Sequence, residues 1–316
     1  MTTALLFSPQ GSQVVGMGRD LAEGMPGAWA IFEMADVVLG WSVRELAWEG
    51  PGERLNETQW TQPALLTTSV AALAALQARI DPAPAFVAGH SVGEYSALVA
   101  AGVLSFPDAL RLVARRGELM ARPSVEGGMA AVIGLERATV AEVIASVASP
   151  ADLVVANDNA PGQVVISGTS AALVDAETAL RAAGARRVIS LPVSGPFHSG
   201  WMADVCDDLA RAMEKVEWHD ADPPMISNVT AEPVEHDGTI RALLAEQVRS
   251  PVEWVASMRR MVAEGVDTFI ELGPGAALTG MIKRIAPDSR TLNVSDMATL
   301  ETTAAAVLAL DVATPA

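Results

Sequence analysis

Cysteine and lysine are scarce in this chain of 316 residues. Cys206 is the only cysteine, which excludes an intramolecular disulfide and agrees with a reducing compartment. Lys215 and Lys283 are the only lysines, and the net charge is −17. Because nucleic-acid binding calls for a basic face, this acidic chain predicts no nucleic-acid partner.

Long hydrophobic runs are also missing. No apolar run approaches the ~20 residues that span a bilayer, and Met1–Leu5 has no basic stretch of the kind that opens a signal peptide. We therefore expect a cytoplasmic protein with no membrane partner, and a monomer. Hydrophobic residues make up 50% and charged residues 19%, which indicates a globular chain with room for a large domain and a smaller one.

The first part of the chain alternates short apolar strands with helical periodicity. Strands are predicted at residues 4–7 and 85–88, and helices at 64–76 and 92–104, with Pro63 in a first helical turn. Strands that alternate with helices favour a parallel sheet covered on both faces.

From about residue 127 the order changes to strand, helix, two strands, helix and strand. That βαββαβ order is typical of a ferredoxin-like unit. We predict an α/β fold: a large α/β-hydrolase-like domain with a mostly parallel sheet, residues 1–126 and 197–316, and a small inserted ferredoxin-like subdomain, residues 127–196.

The most informative motif is Gly89-His90-Ser91-Val92-Gly93, which fits the Gly-x-Ser-x-Gly pattern of a nucleophile elbow. A strand is predicted before it and a helix after it, as the elbow requires. Glycines on both sides let neighbouring backbone approach closely, and the helix N-terminus directs free N–H groups towards the serine. The pattern therefore predicts Ser91 as a nucleophile.

A nucleophilic serine needs a base, and the chain has four histidines. His90 adjoins Ser91, but on an elbow its side chain points elsewhere. His219 and His236 stand among acidic residues and are expected to face solvent. His198 follows a strand end and a Gly-Pro turn, where catalytic groups usually lie, so it is the candidate base; a loop histidine without a catalytic role is the alternative.

Residues 106–120 form a predicted amphipathic helix on which one arginine occupies an apolar position. Its apolar stripe contains Ala109, Leu112, Val113, Arg116 and Met120. A buried guanidinium is costly without an anion and pairs well with a carboxylate. The pattern leaves open whether that carboxylate belongs to the protein or to a substrate.

The chain resembles the malonyl-CoA:acyl carrier protein transacylases over nearly its whole length. The matching segments, in order, are Gln10-Gly11-Ser12-Gln13, Gln62-Pro63-Ala64-Leu65-Leu66, Gly89 to Glu94, Arg116-Gly117 with Met120, Asn157 to Gln163, Phe197-His198-Ser199, Gln247 ahead of Ser250-Pro251-Val252, and Glu271-Leu272-Gly273-Pro274-Gly275.

The resemblance implies an acyltransferase that passes malonyl from malonyl-CoA to the phosphopantetheine thiol of holo acyl carrier protein, for fatty acid or polyketide synthesis. It implies a ping-pong mechanism through a malonyl-Ser91 ester, with coenzyme A thioester as substrate, no bound cofactor and no metal. Ser91 and His198 would be catalytic, and Gln247 would orient His198 through its backbone carbonyl. The N–H groups of Gln10 and Val92 would form the oxyanion hole.

By the same resemblance, Arg116 would bind the free carboxylate of malonyl. The other residues that the resemblance assigns to substrate binding are Met120, Gln62, Phe197 and Asn159. Acyl carrier proteins are acidic, as is this chain, so docking would need a local basic patch. We hypothesise that this patch consists of Arg186, Arg187, Lys283 and Arg284, the alternative being scattered surface charge.

Two other functions compete with acyl transfer. A serine thioesterase or other hydrolase would share the elbow but needs an acidic residue between serine and histidine, and the candidates Asp152, Asp158 and Asp175 fall in the predicted small subdomain. A hydrolase also gives no reason for Arg116 on an apolar face. A non-catalytic scaffold with the same fold is disfavoured because serine, histidine and arginine occur together.

Overall fold

The computed structural model describes residues 2–122 and 125–313. Ten strands occur within those ranges: β1 Thr3–Phe7, β2 Phe86–Gly89, β3 Gly127–Ile133, β4 Leu153–Ala160, β5 Gln163–Thr169, β6 Arg187–Ser190, β7 Met225–Ile226, β8 Pro233–Val234, β9 Thr268–Leu272 and β10 Arg290–Val294.

Fourteen α-helices lie in the same described ranges: α1 Arg19–Gly24, α2 Pro26–Leu39, α3 Val43–Glu49, α4 Gly52–Leu55, α5 Thr58–Gln77, α6 Gly93–Ala100, α7 Phe106–Met120, α8 Arg137–Val147, α9 Ser170–Ala182, α10 Ala203–Met213, α11 Asp237–Glu246, α12 Trp254–Ala263, α13 Ala277–Ile285 and α14 Met297–Ala313.

The larger sheet has six strands in the order β10-β9-β1-β2-β7-β8. All neighbours are parallel except β7 and β8. Every residue of β1 and β9 is buried, as expected for central strands of a sheet with helices on both faces. The predicted α/β fold with a mostly parallel sheet is confirmed.

A separate antiparallel sheet has the strand order β4-β5-β3-β6. Helices α8 and α9 contact each other and pack on its strands. The unit has its own buried apolar cluster, which includes Val132, Val140, Val164 and Leu180. Burial of this cluster gives the second sheet an apolar core of its own, while Met129, Ala156 and Val165 of the same sheet pack into the main core.

The two sheets are joined through the segment that precedes α12. Val252 pairs with the middle of β4: its N–H donates to the Ala156 carbonyl at 2.8 Å, and its carbonyl accepts from the Asp158 N–H at 3.0 Å. Arg137 on α8 donates from both terminal nitrogens to the carboxylate of Glu253, one bond measuring 2.6 Å. These contacts fix the second sheet against the segment that precedes α12.

Two helix predictions were wrong at their ends. Pro63 was expected in a first turn, yet α5 begins at Thr58 and contains Pro63. The first turn is held by close packing on α7, where a Cβ on Gly117 would lie only 2.9 Å from the Gln59 Cα. The predicted helix 92–104 is shorter, because Gly102 takes a left-handed φ of 71° and ends α6.

Candidate active site

The elbow lies between β2 and α6, and its two glycines are needed because a side chain at either position would clash with neighbouring backbone. A Cβ on Gly89 would lie 1.9 Å from the Gly93 carbonyl carbon, and one on Gly93 would lie 2.3 Å from the Phe7 carbonyl oxygen. Ser91 itself has a left-handed backbone with a φ of 53°, which is uncommon for a side chain other than glycine, Asn or Asp. The sequence therefore folds into a tight strand–turn–helix with the serine at its apex.

His198 meets Ser91 from a segment 107 residues away. Its Nε2 lies 2.9 Å from Ser91 Oγ, and its backbone is also left-handed, with a φ of 57°. Burial lowers the pKa of His198 to about 3, and the positive charge of Arg116 lowers it further in the same direction. The imidazole is thus neutral near pH 7 and can accept a proton.

The other ring nitrogen of His198 is held by backbone. Nδ1 lies 2.9 Å from the Gln247 carbonyl and 3.0 Å from the Ser250 carbonyl. Because both partners are acceptors, Nδ1 carries the hydrogen and Nε2 offers its lone pair to Ser91.

The three acidic residues that a serine hydrolase would have needed lie elsewhere. Asp152 accepts from Ser149 Oγ, Asp158 interacts with Arg137, and Asp175 is exposed on α9. None of them bonds to His198 within the described ranges, so the orienting partner of the base is a carbonyl pair instead of a carboxylate.

Arg116 projects from α7 towards the serine and is 1% exposed. Its Nη2 donates to Ser91 Oγ and to Gln247 Oε1, both at 3.0 Å, and its Nη1 donates to Gln62 Oε1 at 2.7 Å. Its Nε has no partner in the described part of the chain. Burial lowers the pKa of the guanidinium, but an arginine stays charged over the whole physiological range. The site therefore holds a fixed cation beside the nucleophile.

No acidic side chain forms an ion pair with Arg116 among the residues that the structure describes. Its neutral partners satisfy hydrogen bonds without neutralising the charge. A buried guanidinium with neutral partners and a free N–H is suited to an incoming anion.

A cavity of about 140 Å³ opens over Ser91. At ~30 Å³ of liquid volume per water this space equals about five waters, so its size suits a short group. The predicted site residues that line it are Gln10, Ser91, Arg116, Met120, Asn159, Phe197 and His198. Strands of the second sheet supply a wall through Met129 and Val165.

Three predicted residues lie behind that lining. Gln62 bonds to Arg116 and donates from Nε2 to Met120 Sδ at 3.5 Å. Gln247 contacts Arg116 and His198 as described above. Val92 is the N-cap of α6, and the N–H groups of Val92 and Gln10 have no hydrogen-bond partner within residues 2–122 and 125–313.

His90 lines the cavity as well, which sequence reasoning did not predict. Its Nε2 lies 2.8 Å from Asn159 Oδ1, its ring packs 5.3 Å from that of Trp254, and burial lowers its pKa. A neutral His90 thus fixes the Asn159 side chain at the junction of the two sheets. His219 and His236 are exposed, as predicted.

Glu94 and Asn228 are two further residues of the site that sequence reasoning did not single out. Asn228 Oδ1 accepts from the Ser91 N–H at 2.7 Å, and its Nδ2 donates to the Gly89 carbonyl at 2.7 Å. Glu94 accepts from the Asn228 N–H and from Gln247 Nε2. One signal existed for Glu94: it is the only charged residue of α6, whose neighbouring positions are all buried. Asn228 carried none beyond its place after β7, the strand beside β2.

The four predicted docking residues are all exposed: Arg186, Arg187, Lys283 and Arg284. Arg284 donates from Nη1 to Gln163 Oε1 at 2.8 Å and from Nη2 to the Pro161 carbonyl, at the turn between β4 and β5. Lys283 is its neighbour on α13, whereas Arg187 lies on β6. The residues thus belong to two elements, with Arg284 linked to the second sheet.

Within residues 2–122 and 125–313, no group of three or more His, Cys, Asp or Glu side chains could hold a metal ion. None of the helices in the same ranges combines the length and apolar character of a membrane span.

A serine on an elbow, a histidine within hydrogen-bond distance of it and a buried cation in one small cavity are an arrangement suited to serine-dependent acyl transfer. Comparison with known proteins agrees with that class. The family model described as "Acyl transferase domain" matches residues 4–304.

Two curated relatives carry the name malonyl CoA-acyl carrier protein transacylase. The protein from Bacillus subtilis (strain 168) is 45% identical over 301 residues, which cover 94% of this chain and 95% of that protein. The protein from Escherichia coli (strain K12) is 44% identical over 284 residues, covering 89% and 92%.

Solved structures agree in fold. An acyl carrier protein S-malonyltransferase from Vibrio cholerae matches with a TM-score of 0.91 and 41% identity, over 96% of this chain and 100% of that one. A malonyl-transacylase in complex with a holo type II PKS acyl carrier protein matches with a TM-score of 0.93 and 40% identity, over 97% and 100%. The chain belongs to the malonyl CoA-acyl carrier protein transacylase family of acyltransferases.

Proposed function

We propose that this enzyme transfers malonyl from malonyl-CoA to the phosphopantetheine thiol of holo acyl carrier protein. The observation that carries the proposal is Arg116, a buried cation without an ion-pair partner in the described ranges, whose Nη2 lies 3.0 Å from Ser91 Oγ. An acyl group with its own carboxylate would place an anion there. The names of the relatives support the same substrates.

The first half-reaction makes an ester on Ser91. Ser91 Oγ attacks the thioester carbonyl carbon while its proton passes to His198 Nε2, 2.9 Å away. The N–H groups of Gln10 and Val92 receive the developing oxyanion, each worth about 3 kcal/mol by analogy with measured oxyanion donors. The C–S bond then breaks, and coenzyme A leaves as a thiol with the proton from His198.

The second half-reaction reverses these steps with a different thiol. The phosphopantetheine thiol gives its proton to His198 Nε2 and attacks the malonyl ester carbonyl. The ester C–O bond breaks and Ser91 Oγ recovers the proton, which leaves malonyl on the carrier protein. This is a ping-pong exchange between thioesters of similar energy, so the main demand is to exclude water from the ester.

Arg116 supplies selectivity in this scheme. Its Nε, which has no partner in the described part of the chain, and its Nη2 form one edge of the guanidinium and could bind a carboxylate in bidentate fashion. Gln62 holds Nη1, and Met120 and Phe197 close the apolar side of the same cavity.

Intact-mass measurement after mixing with malonyl-CoA tests the proposal. We expect a malonyl adduct on Ser91 that persists in buffer and disappears when holo acyl carrier protein is added, with the malonyl group recovered on that protein. Rapid release of free malonate instead would support a hydrolase, and absence of any adduct would refute the ester intermediate.

We also propose the finer organisation expected from the sequence. The antiparallel order β4-β5-β3-β6 with α8 and α9 supports a ferredoxin-like subdomain at residues 127–196. The elbow at the carboxyl end of β2 supports an α/β-hydrolase-like large domain made of residues 1–126 and 197–316.

Docking of the acidic carrier protein is proposed at the basic patch of Arg186, Arg187, Lys283 and Arg284. Helix α13, which carries the last two, also carries Met281 in the lining of the cavity. A partner bound there would lie close to the cavity, where a phosphopantetheine arm must enter.

A further inference from the structure

Glu94 is a buried carboxylate that the proposed reaction does not use. It lies in the first turn of α6 and is 1% exposed. It forms no ion pair among the residues described by the structure. Instead, Oε1 accepts from the Asn228 N–H at 2.5 Å, and Oε2 accepts from Gln247 Nε2. Burying a carboxylate is costly, so a buried carboxylate at this position calls for a structural or functional explanation.

Both partners of Glu94 hold the peptide groups of the nucleophile. Asn228 Oδ1 accepts from the Ser91 N–H at 2.7 Å, and Gln247 Nε2 donates to the Ser91 carbonyl at 2.8 Å. These bonds hold the left-handed backbone of Ser91 from both sides.

The oxygen of the Gln247 side-chain amide makes a further contact. Its Oε1 accepts from Arg116 Nη2 at 3.0 Å. An amide has one end that donates and one that accepts. Glu94 can only accept from it when ionised, as the Ser91 carbonyl does, and Arg116 can only donate to it, so these three partners together select one orientation of this amide.

We propose that Glu94 is a positioning residue that fixes the amide orientation of Gln247 and, through it, the placement of Arg116 for an acyl carboxylate. This inference rests on the proposed malonyl transfer. It assigns to Glu94 a role in the choice of acyl group, exerted without contact with substrate.

The ionisation of Glu94 is consistent with that role. Burial raises its pKa to about 7, while its two hydrogen-bond donors and the charge of Arg116 act in the opposite direction. The carboxylate form that accepts both hydrogen bonds is therefore populated near neutral pH.

Glu94→Gln tests the inference because it preserves shape and changes only the donor pattern. The Asn228 N–H belongs to the backbone and cannot turn, so the new amide at position 94 must offer it the oxygen and direct its own NH₂ group at Gln247. That NH₂ group would face Gln247 Nε2, so the Gln247 amide must shift or rotate, and rotation would point its own NH₂ group at Arg116 and its oxygen at the Ser91 carbonyl. Two donors facing each other would displace the guanidinium.

Glu271→Gln is the matched control. Glu271 is also 1% exposed, and it caps α13 by accepting from the N–H groups of Leu278 and Thr279 at 3.0 and 2.7 Å. The substitution removes the same buried charge without touching Gln247 or Arg116, so it reports the general cost of such a change.

The assay measures single-turnover acylation of Ser91 by malonyl-CoA and by acetyl-CoA. We expect Glu94→Gln to lower the malonyl-to-acetyl rate ratio by about 10- to 100-fold, the usual range for a lost hydrogen bond to a charged group. The KM for malonyl-CoA should rise along with the fall in rate, and Glu271→Gln should leave the ratio within about twofold.

An unchanged ratio in folded Glu94→Gln, or an equal fall in both variants, would overturn the inference. If Glu94→Gln does not fold, Gln247→Met provides the same test, because it removes the amide and should lower the ratio similarly; an unchanged ratio there would also overturn it. Failure of the native enzyme to acylate Ser91 from malonyl-CoA would refute the proposed function itself, which is a different result.

Discussion

Removing the guanidinium of Arg116 is the sharpest test of acyl selectivity. In Arg116→Ala, the carboxylate of malonyl would enter a cavity with no cation beside Ser91. Truncating one partner of a buried, hydrogen-bonded charge pair costs ~2–5 kcal/mol. At 1.4 kcal/mol per tenfold, that range corresponds to a ~30- to 4000-fold loss in kcat/KM.

The structure favours the lower half of that range. In the free enzyme Arg116 already bonds to Gln62, Gln247 and Ser91, so a bound carboxylate replaces existing hydrogen bonds instead of adding to an empty group. We therefore expect a ~30- to 300-fold loss with malonyl-CoA. Acetyl-CoA needs no cation, and its rate should stay level or rise.

The effect of Arg116→Ala on acyl selectivity must be distinguished from an effect on folding stability. Arg116→Ala leaves the amide oxygens of Gln62 and Gln247 without their donor, at ~1–3 kcal/mol each, although it also removes a buried charge. Arg115→Ala is the control on the same helix, since Arg115 is 47% exposed and pairs with Glu118 at the surface. Thermal unfolding should show a folded protein in both cases.

The assay compares kcat/KM for malonyl-CoA and acetyl-CoA in native enzyme and both variants. If Arg116→Ala kept the malonyl preference of Arg115→Ala to within about threefold, the guanidinium would not bind the acyl carboxylate, and the assignment would be refuted.

Three further predictions follow from the same site. Ser91→Ala should abolish covalent labelling by malonyl-CoA in intact-mass spectra; a persistent adduct would mean another nucleophile. Reversing charge at Lys283 and Arg284 should raise the KM for the carrier protein and leave that for malonyl-CoA unchanged, with Lys215→Glu as the control lysine; equal carrier-protein KM values in all three proteins would exclude docking there. Because the pKa of His198 falls from 6.5 to about 3 on folding, the unfolded chain binds more protons between those values, so His198 destabilises the folded state progressively as the pH falls below about 6.5. Urea unfolding should therefore show native enzyme losing about 2 kcal/mol more than His198→Gln between pH 7 and pH 5; equal losses would show that folding does not lower the pKa of His198.

Local patterns predicted much of the fold. The amphipathic helix over residues 106–120 begins and ends where expected, and the strand predicted over residues 4–7 matches β1 to within one residue. These elements follow from apolar periodicity and steric limits that act over a few residues. Pro63 inside α5 and the early end of α6 were missed because packing on Gly117 and the left-handed Gly102 decided them.

The candidate site was predicted unevenly. Ser91 could be recognised from the glycines that its turn needs, and Arg116 from its place on an apolar face. Glu94 stood in the same motif without a visible purpose, and Asn228 carried no local signal. Their hydrogen bonds join residues 134 to 153 positions apart, which no local periodicity in the sequence can reveal.

By itself, the sequence determined the turn that presents the serine, the buried face of the helix that bears the arginine, and the alternation that makes the sheet. Each depends on sterics or burial within one element. Only the tertiary structure decided what faces the serine: His198 held by two backbone carbonyls, Arg116 with neutral partners, and Glu94 bonded to the Asn228 backbone and the Gln247 amide. Hydrogen bonds need atoms within about 3 Å of each other, and chain folding alone brings residues from such widely separated segments that close.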